Sequence, residues 1–136
     1  ICDEFGGTAI SFTGAAQSSS TGPYASAEGL DLTATVNVTS ATNEMVADCV
    51  SFFAATPGAT VGAGQTQRSN LMISTERMMA STEPGAATVT MSWDLSGTGP
   101  SWVTGGVSVK EVAAGRPPSG GVYSPFQLWL EEDVLD

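Results

Sequence analysis

Two segments of this chain alternate strictly between apolar and polar residues, and this pattern restricts the fold more than any other feature. In residues 30–39 (LDLTATVNVT) every second residue is apolar, and residues 87–95 (ATVTMSWDL) repeat the pattern. Such period-two alternation is typical of a half-buried β-strand with one face in water. Because no window of a dozen residues keeps the helical spacing of apolar residues, we expect an all-β protein.

Further strands are predicted where apolar and β-branched residues cluster between turn signals. The predicted strands are residues 8–13, 30–39, 45–55, 68–75, 87–95 and 102–112. Residues 45–55 are apolar on both faces, which indicates a central strand. In the last strand, Val103, Val107 and Val109 share one face, and we expect them to help close the core.

The connections are predicted from glycine, proline and small polar residues. Residues 14–29 are interpreted as mostly loop, residues 74–81 as a loop or short strand, residues 82–85 as a turn, and residues 97–100 as the turn of a hairpin. The adjacent glycines at 105 and 106 predict a bulge or a close backbone approach.

Seven or eight short strands with frequent turns predict an antiparallel β-sandwich with a jelly-roll-like topology. This domain is expected to span residues 1–112. Residues 113–121 (AAGRPPSGG) have the composition of a Pro/Gly linker. Residues 122–136 (VYSPFQLWLEEDVLD) are too apolar for a free tail and are predicted to form a C-terminal extension, either an arm or an added strand.

Charge excludes several classes of partner. Only 13% of the 136 residues are charged, about half of the usual ~25%, and the net charge is −10. Nucleic acids and anionic membranes bind cationic surfaces, which four basic residues do not provide. We therefore expect no nucleic-acid binding and no membrane binding. A hydroxyl-rich surface with few charged residues is typical of virion and extracellular β-proteins.

The residue types needed for most catalytic machinery are missing. The chain has no histidine and two cysteines, so neither a Ser-His or Cys-His nucleophile nor a zinc cluster can be assembled. Asp31, Asp48 and Asp94 are the candidates for the acid and base of a glycosidase, but each lies alone on a different predicted strand. We therefore expect a non-enzymatic protein.

Acidic residues cluster near the two ends of the chain, at Asp3 and Glu4 and again at Glu131, Glu132 and Asp133. Carboxylate oxygens are the ligands that calcium prefers. No loop has the spacing of a known calcium motif, so we predict no cofactor, and calcium is the one metal that the sequence leaves open.

Two cysteines and two aromatic residues are candidate sites. Cys2 and Cys49 either form one disulfide or remain as two buried thiols. Tyr24 and Trp102 are candidate glycan contacts, because aromatic rings stack on the apolar faces of sugars. For Trp102 the alternative is packing in the core or at a sheet edge.

Three stretches carry a resemblance to known proteins: GAGQTQR (62–68), STEPGAATVTMSW (81–93) and SWVTGGVSVKEV (101–112). Together they resemble a β-sandwich module of tailed-phage structural proteins and some secreted bacterial proteins. The resemblance covers residues 8–112 and implies a non-enzymatic module on a virion or cell surface, with no catalytic residues. Residues 113–136 depart from it, since such modules often end before this point.

The C-terminal arm is the strongest functional lead in the sequence. It carries five large apolar residues: Tyr123, Phe126, Leu128, Trp129 and Leu130. The arm either folds back on its own sandwich or pairs with a neighbouring subunit, as in strand addition. We therefore predict a virion structural protein, such as a capsid decoration or tail-associated component, that forms a homo-oligomer or binds other structural subunits. The alternatives are a carbohydrate-binding surface module and a subunit of an extracellular filament.

Overall fold

The structure, a computed structural model, describes residues 6–53, 58–96 and 100–112. These residues form eight β-strands and no helix: β1 (Ala25–Gly29), β2 (Thr33–Thr39), β3 (Met45–Phe53), β4 (Ala59–Val61), β5 (Thr66–Ile73), β6 (Glu76–Pro84), β7 (Thr88–Leu95) and β8 (Trp102–Val109). Within these ranges no helix is long and apolar enough to cross a membrane.

The strands form two antiparallel sheets. The larger sheet has the order β1-β8-β3-β6-β5, and the smaller one has the order β2-β7-β4. Buried apolar side chains of both sheets meet in the same core clusters, which contain Trp93 from the smaller sheet and Val50 and Phe52 from the larger one. The predicted all-β antiparallel sandwich is therefore confirmed, whereas its jelly-roll topology remains a prediction.

The two alternating segments form neighbouring strands of the smaller sheet. Strands β2 and β7 pair in register from Thr33 with Asp94 to Thr39 with Thr88. The predicted inner faces are confirmed. The buried side chains are Ala34, Val36 and Val38 on β2 and Val89, Met91, Trp93 and Leu95 on β7. Leu30 and Leu32 are instead exposed, because β2 begins only at Thr33.

Strand β3 is central, as its apolar sequence predicted, because it pairs with β6 on one side and β8 on the other. Its inner face is made of Val46, Asp48, Val50 and Phe52, all of them buried. Its outer face carries Cys49 and Phe53, which are exposed.

The predicted orientation of β8 is wrong. Trp102, Thr104 and Ser108 are buried on the inner face, whereas Val103 is 52% exposed on the outer one. Because side chains alternate along a strand, this one-residue difference exchanges the two faces. A Cβ atom at Gly106 would lie 2.7 Å from Val38 Cγ2 of the opposite sheet. The inner face of β8 therefore favours glycine there. The nearest atoms at Gly105 and Gly106 belong to the side chains of Tyr24 and Val38, and not to the backbone approach that was predicted.

The predicted hairpin between β7 and β8 is also wrong, although residues 97–99 lie outside the described ranges. Strand β7 pairs with β2 and β4 in one sheet, while β8 pairs with β1 and β3 in the other. The connection therefore crosses between the sheets, since both edges of β7 already have partners.

Two smaller expectations fail. Residues 8–13 do not form a strand, and strand β6 continues through residues 82–84, where a turn was expected, because β3 pairs with it along its whole length. Residues 14–29 are mostly loop, as predicted, with β1 at their end. Of the two interpretations of residues 74–81, the short strand is confirmed for residues 76–81, which belong to β6.

Candidate functional site

A buried carboxylate joins the two sheets. Asp48 lies on the inner face of β3 and is only 4% exposed. Trp93 Nε1, from the smaller sheet, donates a hydrogen bond to Asp48 Oδ2 at 2.6 Å. The backbone N–H and the hydroxyl of Ser81 donate to Asp48 Oδ1 at 3.1 and 2.5 Å. Asp48 thus satisfies three donors that would otherwise be buried without a partner.

The side chain of Gln65 extends this network. Its Nε2 donates to Ser81 Oγ at 2.7 Å, and its Oε1 accepts a hydrogen bond from the backbone N–H of Ser92 at 2.7 Å. Strand β4 ends at Val61, so Gln65 provides β7 with an acceptor where the strand partner is lost. We define the polar network as Asp48, Ser81, Trp93, Gln65 and Ser92.

The polar network is built for structure. Burial raises the pKa of the Asp48 carboxyl, although the hydrogen bonds from Ser81 and Trp93 oppose that shift. The three carboxylates considered as an acid and base are separated: Asp48 is enclosed, Asp94 is exposed on β7, and Asp31 accepts a hydrogen bond from Trp102. Among the described residues no group of three or more acidic, cysteine or histidine side chains could hold a metal ion.

A second acidic side chain lies close to the network. Glu83 Oε2 is buried without a hydrogen-bond partner in the described part of the chain. Burial, and to a smaller extent the charge of Asp48, raise the pKa of Glu83. A Cβ atom at Gly64 would lie 2.7 Å from Glu83 Oε1, so the loop between β4 and β5 covers this carboxyl.

These shifts predict that Asp48 and Glu83 contribute more to the stability of the fold in acidic than in neutral solution. Because the pKa values of Asp48 and Glu83 are raised on folding, their contribution to stability is complete below about pH 4 and is lost as pH rises through the folded-state values. We expect Glu83→Gln to reduce the fall in the free energy of unfolding above pH 4, measured by urea unfolding from pH 4 to 8.

Glu28→Gln is the matched control for this prediction, because it removes the same charge from an exposed position on β1. We expect it to leave the pH dependence close to that of the wild type. Equal pH profiles for Glu83→Gln and the wild type would contradict the prediction.

Apolar side chains are exposed on the outer face of the larger sheet. Phe53 on β3 is 54% exposed and Val103 on β8 is 52% exposed. Val103 pairs with Ser51, which lies two residues before Phe53 on β3. Cys49 pairs with Gly105, and the ring of Tyr24 lies against that glycine, because a Cβ atom there would be 3.0 Å from Tyr24 Cε2. We define the outer patch as Tyr24, Cys49, Phe53 and Val103.

The N-terminal segment covers another part of the same face. A Cβ atom at Gly6 would overlap the side chain of Ile73 and lie 3.5 Å from Leu71 Cδ2, both on β5. Phe12 lines an open groove with Met45 and Val109, which oppose each other on the outer face of β3 and β8. Residues 6–12 therefore cross this face from β5 towards β8, and this described part of the segment does not cover the outer patch.

The chain leaves the sandwich at the opposite end of β8 from the outer patch. Residues 14–22 run alongside residues 108–112, held by hydrogen bonds such as Gly22 N–H to Ser108 O and Val112 N–H to Gly14 O. Lys110 is part of this pairing, since its N–H donates to Ser20 O. The last described residue, Val112, is thus fixed in place.

The predicted glycan contacts have different positions. Trp102 is 7% exposed, and its Nε1 donates to both the backbone oxygen and Oδ1 of Asp31 at 3.0 Å. This indole packs in the core, which confirms the alternative to a glycan contact, and it is not exposed as a sugar platform. Tyr24 is 71% exposed and remains available for stacking.

The disulfide prediction stays untested, because Cys2 lies outside the described residues. The alternative of two buried thiols is wrong for Cys49, which is exposed. Cys49 lies on the exposed outer face, and burial, followed by the charge of Asp48, raises the pKa of its thiol. The arm residues Tyr123, Phe126, Leu128, Trp129 and Leu130, the linker, and the acidic residues Asp3, Glu4, Glu131, Glu132 and Asp133 also lie outside the described ranges.

Sequence reasoning missed both the polar network and the outer patch. In the sequence, Asp48 stands out only as a lone carboxylate, and the alternation of residues 87–95 predicts only which face of the strand carries Trp93. The one available signal was a charged residue within the apolar run of β3, where a buried charge needs partners.

No family model matches this chain, and neither a curated protein nor a solved structure matches it at a significant level. The resemblance to a phage module therefore remains a prediction, and a proposal about function rests on the residues of this chain itself.

Proposed function

We propose that this protein is a non-enzymatic structural subunit of a virion or another extracellular assembly, and that it acts through contacts between subunits. The outer patch is the observation that carries the proposal. Val103 and Phe53 expose about half of their surface on a sheet face, beside the exposed ring of Tyr24. Contiguous exposed apolar residues of this kind mark sites of protein interaction.

The opposite face of the sandwich gives the contrast that supports this proposal. The outer face of β2 and β7 carries only polar residues. They are Thr33, Thr35, Asn37 and Thr39 on β2 and Thr88, Thr90, Ser92 and Asp94 on β7. Thr90 Oγ1 donates a hydrogen bond to Asn37 Oδ1 at 2.7 Å on this face. The outer face of the smaller sheet is thus suited to contact with water, whereas part of the outer face of the larger sheet is suited to an apolar partner.

A charge in the outer patch tests the proposal. We expect Val103→Asp to weaken self-association of the full chain about thirtyfold, because a carboxylate would be buried without a partner in the contact. Sedimentation equilibrium over a range of protein concentrations measures the effect. Thr35→Asp is the matched control, since it places the same charge at an exposed mid-strand position of the polar face.

The control is expected to associate as the wild type does. A wild-type chain that stays monomeric at all concentrations would contradict the proposal, and the exposed ring of Tyr24 would then make glycan binding the next candidate. Equal association of Val103→Asp and the wild type would show that the outer patch is not the contact.

A further inference from the structure

We propose that strand β5 pairs edge to edge with β5 of a second copy of this chain, across a two-fold axis at Leu71. The larger sheets of the two copies then form one continuous antiparallel sheet. This contact goes beyond the proposed function, because β5 contains no residue of the outer patch and either contact can form without the other.

The outer edge of β5 has unpaired backbone groups. Strand β5 is the last strand of its sheet, with β6 as its neighbour on one side only. Because the N–H of Phe53 donates to Ser101 beside β8, the even-numbered residues of β3 bond to β6, and the even-numbered residues of β6 bond to β5. Leu71, whose partner on β6 is even-numbered, therefore bonds to β6. The N–H and C=O groups of Asn70 and Met72 point away from the sheet, and no other described backbone group bonds to them.

The edge of β5 also exposes apolar side chains on both faces of the sheet. Leu71 is 36% exposed on the outer face, and Met72 is 45% exposed on the inner face. The other described strands at a sheet edge, β1, β2 and β4, contain no exposed large apolar residue. An open edge with exposed apolar side chains is a template for pairing with another strand. Of the described edges, β5 therefore buries the most apolar surface when it pairs.

The ends of the regular part of β5 set the register of the pairing. A bulge precedes Ser69, and Ser74, directly after the strand, has a φ of 52°. Only the residues between these two irregularities can pair. In an antiparallel pair of these segments, a two-fold axis at Leu71 places Asn70 opposite Met72 of the second copy, and the reverse. Each of these two pairs exchanges both of its hydrogen bonds, which an axis at any other residue does not allow.

The strand is complementary to itself in this register. The two Leu71 side chains lie opposite each other on the outer face, with Cα atoms about 4.5 Å apart. Asn70 and Met72 lie side by side on the inner face, where Arg77 already donates to both of their side chains. Residues 69–75 carry no charge, so two copies of a chain with net charge −10 meet here without acidic groups directly opposite each other. A second copy thus fits the edge in hydrogen bonding, apolar contact and charge.

The described N-terminal segment leaves this edge free. Gly6 lies against the side chains of Leu71 and Ile73 on the outer face. Residues 6–13 make no backbone hydrogen bond to β5. The segment therefore adds apolar cover to the face of the strand without occupying its edge. Coverage of the edge by another part of the same chain is one of the outcomes that the test distinguishes.

Opposite charges at the two-fold axis test the inference. We expect Leu71→Asp alone and Leu71→Lys alone each to weaken the pairing about tenfold, because like charges then lie opposite each other. A one-to-one mixture of the two variants should restore the pairing, since unlike charges face each other in the mixed pair. The measurement is the amide hydrogen exchange of Asn70 and Met72, followed by NMR in the full chain at increasing concentration. Exchange should slow with concentration in the wild type and in the mixture.

Thr88→Asp and Thr88→Lys are the matched control variants, because Thr88 is exposed on the polar face of the smaller sheet. They should leave the exchange at β5 as it is in the wild type. If a Leu71 variant does not fold, as judged by its unfolding midpoint, Asn70→Pro and Asn70→Ala replace the charge variants, with Met72 as the reporter. Both lose the same side chain, but only proline lacks the N–H, so only Asn70→Pro should weaken the pairing.

The outcomes separate this inference from the proposed function. Equal protection of Asn70 and Met72 at every concentration would mean that the same chain covers the edge, and rapid exchange at every concentration would mean that the edge stays open. Either result, or a mixture that restores nothing, overturns the inference and leaves the proposed function standing if Val103→Asp still weakens association. Concentration-dependent protection at β5, with Val103→Asp associating as the wild type does, would support this inference and remove the outer patch as a contact.

Discussion

Asp48→Ala should lower the free energy of unfolding by about 3 kcal/mol, because it leaves Trp93 Nε1 and the Ser81 backbone N–H buried without an acceptor. Each orphaned donor costs about 1–3 kcal/mol, and the relief of burying a carboxylate offsets part of that loss. The midpoint and slope of urea unfolding measure the change. The free energy of unfolding of Asp48→Asn should lie between those of the wild type and Asp48→Ala. Its side-chain oxygen can still accept a hydrogen bond from Ser81, while its amide group faces the indole N–H of Trp93.

The control for this prediction is Asp94→Ala. It removes the same side chain from an exposed position of β7 and should change stability by less than about 0.5 kcal/mol. Equal unfolding midpoints for Asp48→Ala and Asp94→Ala would mean that the polar network contributes nothing to holding the sheets together.

Gly85→Ala should also destabilise the fold by about 3 kcal/mol, at the upper end for overpacking. A Cβ atom at Gly85 would overlap the carbonyl oxygen of Ala41 and lie 2.8 Å from the carbonyl oxygen of Glu44. The N–H of Gly85 donates to Glu44 O at 2.7 Å, and the N–H of Glu44 donates to Ala41 O at 3.0 Å, so the turn of residues 41–44 is held close to the glycine. Both clashes are with backbone atoms, and no change of side-chain rotamer can relieve them.

Gly7→Ala provides the comparison, because a Cβ atom there would meet nothing within 4 Å. Its expected effect is between zero and a gain of about 1 kcal/mol, since alanine restricts the unfolded chain. Thermal unfolding of the two variants measures the difference, and a Gly85→Ala protein as stable as Gly7→Ala would refute the steric argument.

The features that could be predicted are those decided by local alternation. In β2 and β7 one face is apolar and the other polar, so the pattern identifies the buried side. Strand β8 has valines on one face and Trp102 with small residues on the other, and the pattern alone cannot choose between them. The choice depends on Val38 from the opposite sheet, which leaves space only for Gly106.

The polar network and the path of the chain depend on contacts that are remote in sequence. Asp48 meets its partners Ser81 and Trp93 at separations of 33 and 45 residues. Similarly, the glycines and proline after β7 signalled a turn but not the partner of the strand that follows. The outer patch could not be found before the orientation of β8 was known.

The position of β8 between β1 and β3 has a consequence for how the molecule folds. Strand β8 is the last strand of the described chain, and β1 has no other neighbour in its sheet. During synthesis, β1 therefore has no partner in its sheet, and one side of β3 stays open, until the chain up to Val109 has emerged. Because the pairing of distant segments is slow, this order predicts folding in milliseconds to seconds, and until β8 pairs, the backbone N–H and C=O groups along one edge of β3 stay without their strand partner.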